Sequence, residues 1–388
     1  MSSEGKDLFY LNLKVPIHPV LIILVFAFVL RMWFFSGFVL CDDAEEMSML
    51  NHIMQHGPDL NTALHLRLGV WLFNMISFKV LGVSEFSFFL PTLVMSSMMG
   101  AMCYYVLTHF EYSRLESFIA SLFVASAPYE VLVGGLRAND VIFTWFVGLA
   151  FVALVRLCKR PILQGFLIAF FIWFAFYTKL WVVFYFPAIF LYYGYEYYKK
   201  REWKSCASFV VSSAILHVIT GLYLKSRMGM FFPFTKHHSA TYPVPSNQIV
   251  EMLKKYPAAI FEGSFMDTTL FGYVPHLLLI LLALKAVSTV LSRYRHGENK
   301  FRFDRLDAYL FAFYMVFFIM LEFFPTNFKF DQYYSAPRIF RYLTPISFPM
   351  AMHVAKMFVD LLHAVGKIGF FEKKGLKAYS KHLLAGLF

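Results

Sequence analysis

The sequence predicts an all-α polytopic membrane protein of about ten transmembrane helices, with interfacial helices in two of its loops. Three observations predict this class. Hydrophobic residues make up 59% of the 388 and charged residues only 15%, too little polar surface to coat a soluble globule of this size. Apolar stretches of 17 or more residues recur along the whole chain, near the length that a roughly 30 Å hydrocarbon core demands. The basic residues between them concentrate in alternate loops.

In chain order, Lys6 and Lys14 precede the first apolar run without a small-residue cleavage site, so 17–39 is expected to be a retained signal-anchor helix. Further spans are expected at 86–109, 116–133, 140–156, 162–178, 180–197, 206–224, 271–291, 307–324 and 339–361. The stretch 68–78 holds only 11 apolar residues between Arg67 and Lys79, which suits an interfacial helix. With 68–78 lying flat, the loops carrying Arg156/Lys159/Arg160, Lys199/Lys200/Arg201/Lys204 and Arg293/Arg295/Lys300/Arg302/Arg305 fall on the same side as Lys6 and Lys14. The positive-inside rule then makes both ends cytoplasmic.

This topology gives a single domain over 1–388 whose extracytoplasmic segments are 40–85, 134–139, 225–270 and 325–338. The two long ones would roof a site at that membrane face, and Ser246 is a reasonable cap for a helix running towards Phe261. Residues 362–388, with Lys367, Lys373, Lys374, Lys377 and Lys381 among Phe and Leu, fit an amphipathic tail on an anionic cytoplasmic leaflet. The net charge of +11 is thus accounted for by cytoplasmic loops, and nucleic acid is not an expected partner. Cys41, Cys103, Cys158 and Cys206 show no metal or redox spacing, and the chain has no phosphate-binding glycine loop.

Chemistry is expected where Cys41-Asp42-Asp43-Ala44-Glu45-Glu46 puts four carboxylates just outside the first span. An isolated ion in hydrocarbon is costly, so this cluster belongs at the membrane boundary. Arg67, Arg137-Ala138-Asn139-Asp140, Lys179, Lys236-His237-His238 and Arg338 with Arg341 join it on the same face. Cations beside carboxylates there suit a reaction that holds a lipid phosphate and deprotonates a polar acceptor. Structural readings stand beside each: Asp42 with Glu45 has capping-box spacing, Arg137 and Asp140 could pair at a helix entrance, Lys179 could snorkel, and Arg338 and Arg341 could be interfacial anchors. His237-His238 could be a solvated loop pair, and Arg31, inside the first span, must face protein or a cavity. His52 and His56, four apart, lack an evident third metal ligand.

The order of these motifs resembles a known family. The acidic pair after the first span, the His56-Gly57-Pro58-Asp59 turn, Leu81-Gly82-Val83-Ser84-Glu85-Phe86 and Leu90-Pro91 are similar to the start of polytopic GT-C glycosyltransferases. The likeness is greatest to the branch of bacterial aminoarabinose transferase and protein O-mannosyltransferases. It continues through Ala127-Pro128, Arg137-Ala138-Asn139-Asp140-Val141, Thr178-Lys179 and Arg341-Tyr342-Leu343-Thr344-Pro345, covering most of the chain.

The resemblance implies an inverting transfer of sugar from a polyprenyl-phosphate donor to a lipid, glycan or protein acceptor at the extracytoplasmic face. It places Asp42 and Asp43 at the catalytic centre, with Asp42 favoured as base, and makes Asp140 an orienting carboxylate. Lys179 and Arg341 would hold the donor phosphate; Arg338 and Arg137 join them by position, while His237, His238 and Arg67 are possible substrate contacts. No cofactor is expected to be obligatory, because the leaving group already carries a phosphate; a divalent metal is possible but not expected. The partners expected are the lipid-linked sugar, membrane lipids and an acceptor the residues do not identify. Departures from the family pattern are Asp43 where glutamate is common, Met47 in place of an aromatic residue, and no large C-terminal extracytoplasmic domain. With no Asn-X-Ser/Thr sequon, a bacterial inner membrane is favoured over the endoplasmic reticulum. The rival class is a transporter or flippase of a lipid-linked or anionic solute, which would carry ionisable residues near the bilayer midplane.

Overall fold

The computed structural model describes residues 9–10, 16–35, 37, 41–56, 67–135, 139–229, 231, 257, 260–261, 271–295, 301–323 and 343–366. It is an all-helical bundle preceded by one short hairpin, β1 (Phe9–Tyr10) paired antiparallel with β2 (Pro16–Ile17). The expected helix from Ser246, the loop 325–338 and the tail beyond Gly366 lie outside the described residues.

Local signals set the helix ends. α1 (Pro19–Trp33) starts with proline at its first position, and the His18 ring accepts from the Val20 amide. After α2 (Cys41–His56) and α3 (Leu68–Leu81), α4 (Glu85–His109) opens with a reciprocal Ser84–Ser87 capping box. α5 (Arg114–Ala125) opens with the same device from Ser113 and Glu116. Then follow α6 (Pro128–Gly135), α7 (Asn139–Arg156), α8 (Pro161–Phe176), a 3₁₀ turn (Leu180–Tyr185) and α9 (Phe186–Lys200). The chain continues through α10 (Lys204–Met228), α11 (Val274–Arg295), α12 (Arg305–Phe323) and α13 (Thr344–Gly366).

Among the described residues, each of the ten stretches expected to span a membrane contains helix. Among the described residues five helices, α4, α7, α10, α11 and α12, are long and apolar enough to cross a membrane singly. The expected span 116–133 is instead two helices, α5 and α6, bent by 55°. Pro128 explains the break: it lacks an amide hydrogen and pushes Ala127 out of the helical region. The carbonyls released by the break need donors, and the buried Arg31 supplies one, donating to the Ala125 carbonyl at 3.0 Å and to Ser96 Oγ at 2.5 Å. Arg31 therefore faces protein. The expected span 180–197 is likewise interrupted, by the 3₁₀ turn. α1 and α8, at 15 and 16 residues, are only about 23 Å long. α3, at 14 residues, remains too short to cross.

α7 sits between α4 and α8, and α10 lies along α8. Gly165 makes the latter approach possible, since a Cβ there would stand 2.2 Å from the Ser205 carbonyl oxygen. The outer faces of α10 (Val211, Ile215, Ile219) and α11 (Leu279, Val287, Val290) expose apolar side chains, as a lipid-facing surface would. Gly69 lets the start of α3 tuck under the end of α8: its amide donates to the Tyr177 carbonyl, and an added Cβ would lie 1.9 Å from Thr178 Oγ1. α3 is thereby fixed at the end of the bundle where α7 begins and α8 ends.

Candidate functional site

At that end, the first turn of α7 and the end of α8 face each other. α8 stops at Phe176, Thr178 Oγ1 donates back to the Phe174 carbonyl, and Lys179 takes an extended conformation before the 3₁₀ turn. Its ammonium turns inward and donates to the Asp140 carboxylate as an ion pair, with side-chain exposures of 14% and 4%. Lys179 is thus not a snorkelling lysine, and Asp140 pairs with it. So little exposure means little solvent screening, and either partner alone would be a costly buried charge.

α2 lies beside this pair. It begins at Cys41, so Asp42 and Asp43 sit within its first turn, where carboxylates complement the helix dipole, and Asp42 is not the residue before the helix that a capping box requires. The side chains of 41–45 lie outside the described residues. Glu46 does not: it is buried, accepting from Asn139 Nδ2 at 2.9 Å and from Arg67 Nη1 at 3.2 Å. Asp42 is four residues before Glu46 and Asp43 three, so both share the Glu46 side of the helix. Arg67, expected to contact substrate, is engaged in this ion pair. Arg137, Arg338, Arg341, His237 and His238 lie outside the described residues.

The start of α13, three residues beyond Arg341, is tied down from three directions. Tyr129 Oη and Thr344 Oγ1 are 3.1 Å apart, Ser347 Oγ donates to the Glu130 carboxylate, and Tyr185 Oη donates to the Pro345 carbonyl at 2.9 Å. Tyr129 also stacks on Phe271, 4.3 Å between ring centroids. Sequence reasoning missed Glu130 and the anchoring roles of Glu46 and Asn139. A carboxylate at position 130 inside an apolar run was the one visible signal.

A second set of buried ions occupies the other end of α13, about 24 Å along the helix from Thr344 to Asp360. Lys285 of α11 donates to Asp307 and to Asp360, each at 2.6 Å. Lys356 reaches Asp304 at 2.5 Å, Asp307 at 2.7 Å and Asp360 at 2.9 Å. His353 stands between Asp307 (3.2 Å) and the Tyr314 hydroxyl (3.1 Å). Tyr112, in the α4–α5 connection, donates to Asp360 at 2.6 Å; burial first, and the neighbouring Asp360 second, push its phenol well above the ordinary value, so it remains a donor. The expectation that the ionisable residues gather at one membrane face is therefore corrected. Asp304, Asp307 and Asp360 also bring their oxygens within 4.8 Å of one another, but the two lysine ammoniums already supply the positive charge there.

These features define a polytopic helical membrane protein with a buried carboxylate–lysine pair at one end and an acidic helix lying across it. No protein-family model matches the chain, and no curated protein matches its sequence. Among solved structures it is similar to the crystal structure of ArnT from Cupriavidus metallidurans in the apo state, with a TM-score of 0.57 at 12% identity over 95% of this chain. The fold of the present chain is of the ArnT type. The chain spans 61% of the length of the ArnT structure.

Proposed function

We propose that the protein is an integral-membrane glycosyltransferase that moves a sugar, with inversion, from a polyprenyl-phosphate donor to a hydroxyl or amine of a lipid, glycan or protein acceptor. The observation that carries this reading is the buried Asp140–Lys179 pair, joined through Asn139 and Glu46 to the helix that bears Asp42 and Asp43. The ArnT-type fold supports it.

In this mechanism Asp42 or Asp43 takes the proton from the acceptor as its oxygen or nitrogen attacks the anomeric carbon. The bond from that carbon to the phosphate oxygen breaks, and polyprenyl phosphate leaves with the bonding electrons. Lys179, with Arg137, Arg338 and Arg341, stabilises the charge growing on the departing phosphate, most effectively where water is excluded. Asp140 holds the Lys179 ammonium at that position until the phosphate shares it. The basic loops at the opposite end of the bundle favour cytoplasmic termini and an extracytoplasmic reaction, in a bacterial inner membrane.

The test is to incubate purified protein with a panel of polyprenyl-monophosphate sugars and membrane extract, following free polyprenyl phosphate by mass spectrometry. The expected result is release from one donor by wild type, lost in Asp42→Asn or Asp43→Asn and in Arg341→Ala. No turnover of any donor by folded protein would refute the reading.

A second reading has one observation in its favour. Lys285, Asp307, His353 and Lys356 are ionisable groups buried between membrane helices, as in transporters of charged solutes. Every described charge there is in contact with an opposite one, which suits a fixed structural joint better than a moving solute site. Donor-independent uptake of a lipid-linked sugar into proteoliposomes would favour transport.

A further inference from the structure

Glu46 is the carboxylate of the acidic stretch whose surroundings are defined. It is 6% exposed, and a carboxylate so buried is retained only where donors meet it. Among the described residues two do, from different parts of the chain: Arg67, which immediately precedes α3, and Asn139, the first residue of α7 and the backbone neighbour of Asp140. The contact with Asn139 also fixes its amide. Turning the group over would set its oxygen against the carboxylate, so Nδ2 faces Glu46, and Oδ1 is left without a hydrogen bond. Asp42 lies one turn from Glu46, about 6 Å along α2.

We propose that Glu46 is a positioning residue: by gripping Asn139 and Arg67 it clamps α2 to the first turn of α7, and so sets the Asp42–Asp43 turn at a fixed distance from the Asp140–Lys179 pair. This inference rests on the glycosyl-transfer reading for its kinetic consequence, but not for the clamp itself. The capping role expected of the acidic stretch does not explain Glu46, which sits in the second turn of α2, beyond the amides that a cap serves. An exposed surface ion pair does not explain it either, since the Glu46 side chain is 8% exposed and Asn139 is neutral.

The clamp predicts a split between binding and chemistry, because a displaced base slows the reaction without removing a donor contact. Glu46→Ala and Asn139→Ala are each expected to lower kcat about 100-fold, with KM for the donor within about threefold of wild type. The double variant is expected to be no slower than the slower single variant, as residues acting through one contact are not additive. Glu46→Gln is expected to stay within about fivefold of wild type, since its amide oxygen still accepts from both partners. The probes are polyprenyl-phosphate mannose, glucose and aminoarabinose, tested in parallel.

A second readout needs no turnover: amide hydrogen exchange of α2, expected to quicken at least tenfold in Glu46→Ala and Asn139→Ala and to stay slow in Glu46→Gln. Multiplicative losses in the double variant, Glu46→Gln as slow as Glu46→Ala, or unchanged exchange of α2 in Glu46→Ala would each overturn the clamp. If wild type turns over none of the probes, glycosyl transfer from these donors fails, and the exchange of α2 alone decides the clamp. Should Glu46→Ala not fold, Asn139→Ala against Glu46→Gln carries the same comparison.

Discussion

Replacing Lys285 with methionine tests the buried ion network at the far end of the bundle. Lys285 is fully buried and donates to two carboxylates at 2.6 Å, with its ammonium also 5.6 Å from the Phe301 ring centroid. Asp304, Asp307 and Asp360 carry three negative charges against the two lysines 285 and 356, so the wild-type set is one negative charge in excess when His353 is neutral. Methionine keeps most of the volume but removes one cation, leaving two buried carboxylates under-compensated. Removing one partner from a buried ion pair costs about 3–5 kcal/mol, on the order of 4–6 °C in melting temperature for a chain of this size. The assay is thermal unfolding of detergent-purified protein followed by loss of the monodisperse species. Adding Asp360→Asn restores the charge balance while keeping an acceptor for Tyr112, and the double variant is expected to regain at least half of the loss. A melting temperature within about 2 °C of wild type for Lys285→Met, or a double variant no better than the single, would refute the electrostatic account.

Other outcomes follow from the same contacts. Asp140→Asn and Lys179→Met are each expected to reduce polyprenyl-phosphate release by about 10²–10³-fold, since each disarms one side of a buried pair in the proposed site; wild-type rates in either would remove it from the mechanism. Gly69→Ala is expected to cost about 1–3 kcal/mol, because its Cβ would overlap Thr178 Oγ1; Thr178→Ala in the same chain, which deletes that atom, should recover most of it in a thermal-unfolding comparison. Arg31→Met is expected to cost about 3–5 kcal/mol by stranding the Ala125 carbonyl at the α5–α6 break and depriving the buried Glu130 of a nearby cation; a smaller loss than that of Arg67→Met, whose side chain is 36% exposed, would contradict this ranking.

Much of the fold was legible in the sequence because helix formation and membrane residence depend on local properties. The apolar runs marked where helices lie, and the lone 11-residue apolar stretch between Arg67 and Lys79 forms a helix of only 14 residues. Asp140 and Lys179 stood out because an ionisable residue at the edge of an apolar run needs a reason. Pro128 was a visible signal of the α5–α6 break, yet composition alone read through it, since hydropathy averages over a kink. What only the tertiary structure decided is which charge meets which. Glu46 and Asn139 are 93 residues apart, Lys285 and Asp360 75, and their pairing depends on which helices are neighbours and how each is rotated about its axis. Spacing along one helix fixes a residue's face but not the partner opposite. Packing across many side chains sets that, and it turned Arg67 into an anchor, Lys179 inward to Asp140, and Lys285 into the centre of a joint between three helices.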